Sequence, residues 1–156
     1  MNRNIEEQLE TTGFYVSTTV GVSMWPMLRN RRDRVIIQRV GDQPLSRFDL
    51  PLYRRADGKY VLHRIIGVKD GYYIIRGDNT YRKEKVPFEQ VLGVMQEFYR
   101  GEKHITAESR SYRAYVRFWH VLFPVRFLVR NIRYVCWRVC LKLGIKSKWK
   151  PYKYDY

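Results

Sequence analysis

Three side-chain types that cooperate in acyl transfer occur in order along this chain. Ser23 lies in Gly21-Val22-Ser23-Met24-Trp25-Pro26-Met27-Leu28, where a strand-like segment runs into a proline-restrained turn. A hydroxyl placed there is presented at a sheet edge, but serine is a weak nucleophile until a base takes its proton. His63, 40 residues on in Val61-Leu62-His63-Arg64-Ile65-Ile66, is the candidate base, because imidazole titrates near neutrality. Asp78, in Arg76-Gly77-Asp78-Asn79, is placed to accept a hydrogen bond from the second ring nitrogen, fixing the tautomer and stabilising the imidazolium. Each residue also has an ordinary reading. Ser23 is a turn hydroxyl, His63 shares a strand face with the apolar Val61 and Ile65, and Asp78 is a turn acid.

The elements that must position these groups read as short strands. Residues 14–20 alternate and are rich in Val and Thr, and residues 34–40 are β-branched. Residues 48–54 form a third strand, which Pro51 confines to an edge or a bulge. Asp57-Gly58 and Asp70-Gly71 are hairpin signals flanking a strand at 60–68 that carries the histidine, with a return strand at 72–76. A closing strand at 91–99 ends the set. The fold class is therefore mainly β, in three parts: a polar segment at 1–13, a β domain at 14–100, and a basic, aromatic helical appendage at 101–156.

Ser-Met-x-Pro, then His-Arg-Ile, then Gly-Asp-Asn, in that order, resembles the type I signal peptidase superfamily, which includes the LexA-type self-cleaving repressors. The resemblance covers roughly residues 14–100 and implies a signal-peptidase-like coiled β-sheet domain. Bacterial signal peptidases use a Ser–Lys dyad; the endoplasmic-reticulum and archaeal branch has His in place of Lys, as here. Carried over, Ser23 is the nucleophile and His63 the general base. In the His-type branch a second acid follows the Gly-Asp pair by six residues, and here that position is Glu84, otherwise a member of a solvated charge run. Asp78 is the first choice for the acid and Glu84 the alternative. Signal peptidases often carry an oxyanion-binding Ser two positions before the nucleophile; Gly21 stands there, as in the self-cleaving repressors. The oxyanion site would then rest on the Ser23 backbone N–H and a neighbouring donor, shaped by Gly21, Val22, Met24 and Pro26. The resemblance also implies a peptide or preprotein substrate with small residues just before the cut and two positions upstream. It implies no cofactor and no metal.

The 156 residues carry 30 Lys/Arg against 15 acids, and the excess is concentrated at the end: residues 112–156 hold 11 Lys/Arg and the single acid Asp155. Pro124 is expected to divide this tail into two helices. Arg126, Arg130 and Arg133 fall on one helical face, with Phe127, Leu128, Ile132 and Val135 broadening the opposite side. Such a helix suits an anionic membrane surface, or a helix packed on the sheet with a solvated Arg face. Trp119, Tyr134, Trp137 and Trp149 are interfacial anchors on the first reading and core on the second. The N-terminus has no apolar run and no stretch is long and apolar enough to span a bilayer, so the expected location is cytoplasmic, peripheral on the inner membrane face. Two cysteines exclude a disulfide framework. Cys136 and Cys140, one helical turn apart, are weak zinc candidates and read as reduced core thiols or acylation sites; His104 and His120 receive no role. The competing functions are a basic nucleic-acid-binding module, disfavoured by charge gathered in a tail with no helix-turn-helix before the β domain, and a catalytically dead scaffold.

Overall fold

The computed structural model describes residues 5–144, so the first four residues and Trp149 lie outside the described part. Helix α1 (Ile5–Thr12) is followed by strands β1 (Phe14–Thr18), β2 (Arg34–Arg39), β3 (Pro51–Arg54), β4 (Tyr60–Leu62), β5 (Arg64–Lys69), β6 (Tyr72–Arg76), β7 (Glu84–Pro87), β8 (Val91–Arg100) and β9 (Lys103–Thr106), then by helices α2 (Arg110–Val121) and α3 (Phe123–Lys142). The architecture is mainly β and antiparallel, with C-terminal helices.

The strands form two sheets. In the larger, the order is β1-β2-β8-β3-β4, with β9 also on β8. Strand β8 is its spine: β2 runs along one side, from Arg34 opposite Tyr99 to Arg39 opposite Gly93. The other side is taken first by β3, with Pro51 opposite Val94, and then by β9, with Glu97 opposite Thr106. Pro51 opens its strand beside a register shift and before the pairing with β4 begins at Leu52, so its missing N–H costs no ladder bond there. The smaller sheet is β5-β6-β7.

Strand 60–68 of the sequence reading is broken at one residue, His63. Leu62 still pairs with Leu52 in the larger sheet, while Arg64 already pairs with Arg76 in the smaller one. The histidine is thus the joint between the sheets. Two hydrophobic clusters form the core, the second drawing on strands of both sheets. Leu9, Ile37, Leu50 and Phe98 pack with Met24, Met27 and Leu28 of the serine turn. Tyr53, Ile65, Tyr73, Ile75 and Val86 form the other cluster. Full burial of such a side chain contributes roughly 1.5–3 kcal/mol, so three apolar anchors hold the serine turn firmly to the first core.

The β domain runs past the expected boundary at residue 100. Strand β9 continues the sheet, and Tyr112 and Val116 of α2 are buried in the first core. The first compact unit accordingly extends to Val116, and a second begins at Arg117. Pro124 sits in the first turn of α3, where its lost N–H is harmless. Helix α3 has no buried residue, and Cys136 is exposed and Cys140 half-buried, so neither cysteine is a core thiol.

Candidate active site

The serine turn begins at Gly21, whose φ of +102° and N–H bond to Asn30 Oδ1 at 2.8 Å set the chain direction. A serine at this position would carry a side chain in a backbone region that costs strain, which accounts for the glycine. The Trp25–Pro26 peptide is cis. Behind the turn, Arg29 grips the fully buried Asp33 through Nε at 3.0 Å and Nη2 at 2.7 Å. Arg100 of β8 donates to the carbonyls of Pro26 and Met27.

The loop after β6 docks directly onto the serine. The Asn79 N–H donates to the Ser23 carbonyl at 2.7 Å, Asn79 Nδ2 to the Val22 carbonyl at 3.1 Å, and the Asp78 N–H meets Met24 Sδ at 3.4 Å. Gly77 makes the close approach possible. A Cβ there would lie 2.8 Å from the Ser23 carbonyl oxygen, 3.0 Å from Thr80 Oγ1 and 3.1 Å from His63 Nε2. The backbone carbonyl of the half-buried Ser23 and the Nε2 edge of the buried His63 therefore both border the bare face of one glycine.

At the other ring nitrogen the acid is Glu84. Its Oε1 lies 3.5 Å from His63 Nδ1, and Tyr53 Oη lies 3.5 Å from the same nitrogen while donating to Glu84 Oε2 at 3.2 Å. Arg55 forks onto Glu84 from outside, with Nε at 2.7 Å and Nη2 at 2.5 Å. Burial pushes the Glu84 carboxyl up, but hydrogen bonds from His63 and Arg55 outweigh it and bring the pKa down to about 2. Burial, with Glu84 alongside, pushes the Tyr53 phenol well above its ordinary range, so it remains a donor.

Asp78, the first choice from sequence, is turned to a different partner. Arg64, 3 % exposed, donates Nε to Asp78 Oδ1 at 2.7 Å and Nη2 to Oδ2 at 2.8 Å. The remaining guanidinium bonds go to the Phe48 carbonyl at 2.9 Å, Tyr112 Oη at 3.0 Å and Met27 Sδ at 3.0 Å. Phe48 adopts φ +82°, an unusual conformation for a bulky residue, and its carbonyl faces this cation. Arg64 and Asp78 form a buried tie between β5, the serine turn, the glycine loop and α2. The physical reason for the difference is competition: a guanidinium fork matches both carboxylate oxygens at once, which an imidazole N–H cannot do.

Sequence reasoning also missed Tyr53 and Arg55. Both lie on or just after β3, but nothing in their spacing marks them; they reach Glu84 on β7, a strand of the other sheet. His104 is stacked on Tyr99 and paired with Glu97 at 2.7 Å on the neighbouring strand. Among the described residues no group of His, Cys, Asp and Glu is arranged to hold a metal ion. A scan of the chain against protein-family models finds no match, and a search of curated proteins finds none.

Proposed function

We propose that this protein is a serine endopeptidase of the signal-peptidase-like type that removes a leader or signal-like segment from a peptide. The observation that carries the reading is that the Ser23 backbone carbonyl and His63 Nε2 both approach Gly77, with Glu84 at the far ring nitrogen. In this mechanism His63 takes the Ser23 hydroxyl proton as the oxygen attacks the scissile carbonyl. The imidazolium faces the ionised Glu84, held in place by Arg55 and Tyr53. The tetrahedral oxyanion is bound by the Ser23 backbone N–H and a neighbouring donor. His63 then gives its proton to the departing amine, and water repeats the sequence in reverse to release the acyl group.

Substrate would bind by strand addition. Strand β1 pairs with β2 on one side only among the described strands, and Val16, Val20 and Trp25 offer exposed apolar side chains along it and the turn that follows. Small residues next to the cut follow from the family resemblance.

The test is cleavage of a peptide library, read by mass spectrometry, in detergent and with anionic vesicles. Ser23→Ala and His63→Ala are each expected to abolish cleavage while circular dichroism stays unchanged. Wild-type cleavage by both variants would remove the assignment, and absence of any Ser23-dependent cleavage would favour the scaffold reading.

A further inference from the structure

Helix α3 leaves an extensive apolar surface uncovered. Val125, Leu128, Val129, Ile132, Val135 and Val139 are all between 47 and 59 % exposed, and the helix buries none of its residues. Their spacing of one, three and four residues places them on a single arc, together with Cys136 and Cys140. Phe127, expected on that arc, lies instead on the arginine side: it stacks with Phe123, and the Arg130 guanidinium lies over its ring at 5.2 Å. The arc is therefore purely aliphatic apart from the two thiols. It is bordered by Arg126 and Arg133 on one flank and by Arg138 and Lys142 on the other, with no acid anywhere in the helix. Arg126 stacks on Trp119, its guanidinium carbon 3.7 Å from the ring centroid.

An aliphatic face of this size calls for an apolar cover, and its borders select the cover. A second copy of the helix, seated face to face, would bring arginine flank against arginine or lysine flank with no carboxylate to offset them. Nucleic acid would meet the cations and leave the aliphatic arc in water. An anionic bilayer satisfies both: acyl chains take the arc and headgroup phosphates take the flanking cations. The helix is 20 residues, about 30 Å, long enough to cross a bilayer. Its five cations oppose crossing, and no described helix is long and apolar enough to span. We propose that α3 lies in the plane of an anionic membrane, with the Val125–Val139 arc immersed and the Arg and Lys side chains extended to the headgroups.

The experiment is co-sedimentation of the full chain with phosphatidylcholine vesicles, with and without phosphatidylglycerol. Binding is expected only with phosphatidylglycerol. Ile132→Asp, at an exposed position, should weaken it by at least about tenfold, given the cost of a charge among acyl chains. Arg130→Gln/Arg133→Gln/Arg138→Gln should also weaken it and flatten its salt dependence. Ser23→Ala should bind as wild type, which separates this result from the peptidase reading. Binding that survives Ile132→Asp means that charge alone is responsible and overturns the proposal. So does failure to bind accompanied by self-association in sedimentation velocity that Ile132→Asp abolishes, which would assign the arc to a second copy.

Discussion

Replacing Asp78 by Asn leaves the Arg64 guanidinium, 3 % exposed, facing one amide oxygen where it had two carboxylate oxygens. The first bond drops from charge-assisted to ordinary strength, and the second is replaced by an NH2 group opposite an N–H donor. Arg64 still has Phe48, Tyr112 and Met27, so its donors are not all orphaned, but its charge is. Loss of one partner from a buried pair costs roughly 3–5 kcal/mol, and the surviving amide bond sets the expectation at the lower end, about 3 kcal/mol. With a urea dependence of about 1–3 kcal/mol per molar for a domain of this size, the midpoint should fall by at least about 1 M. Glu84→Gln should behave in the opposite manner. Glu84 and Arg55 each keep about a quarter of their side chains in water, so the stability loss should be about 1 kcal/mol. Cleavage, by contrast, should fall by a factor on the order of 100 to 10,000, as for loss of the acid from a Ser-His-acid site. The assay is urea unfolding followed by tryptophan fluorescence, beside cleavage rates below the unfolding midpoint. A stable but inactive Asp78→Asn, with a fully active Glu84→Gln, would refute the assignment of the two acids.

Two further expectations follow from the same geometry. The Glu84 carboxyl ionises near 2 in the folded chain against an ordinary 4.5. Its contribution to stability is therefore lost as pH falls from about 4.5 toward 2, so the stability gap between wild type and Glu84→Gln should close over that range. Unfolding midpoints at several pH values check this, and a gap that widens on acidification would contradict it. Gly77→Ala should lose about 1–3 kcal/mol and most of its activity, because the added methyl meets the Ser23 carbonyl at 2.8 Å and His63 Nε2 at 3.1 Å. Wild-type stability and cleavage in that variant would show that the two segments are not pressed together there.

Much of the fold was legible because its signals are local. Strand β6 starts and stops where the Asp70-Gly71 turn and the Gly77 loop dictate, and the serine turn is announced by Pro26. Strand β7 was not legible: Glu84-Lys85-Val86-Pro87 reads as a charge run, and only Val86 is turned into the core. Strand β9 was lost for a similar reason, its four residues having no buried side chain. The ordering of Ser23, His63 and an acid could be read from motifs, but the choice between Asp78 and Glu84 could not. It depends on where Arg64 sends its guanidinium and on Tyr53 and Arg55 reaching Glu84 from the other sheet, and neither leaves a mark on composition or spacing.

The joint at His63 bears on when the proposed activity could first arise. The Ser23 turn is anchored in one hydrophobic cluster, Glu84 sits on a strand of the smaller sheet, and His63 is the single residue between the two sheets. A chain that has consolidated only one of the two clusters holds at most part of the proton relay. Under the proposed function, hydrolytic competence would become a checkpoint on completed folding, and a nascent or half-unfolded molecule would be spared from cutting its neighbours.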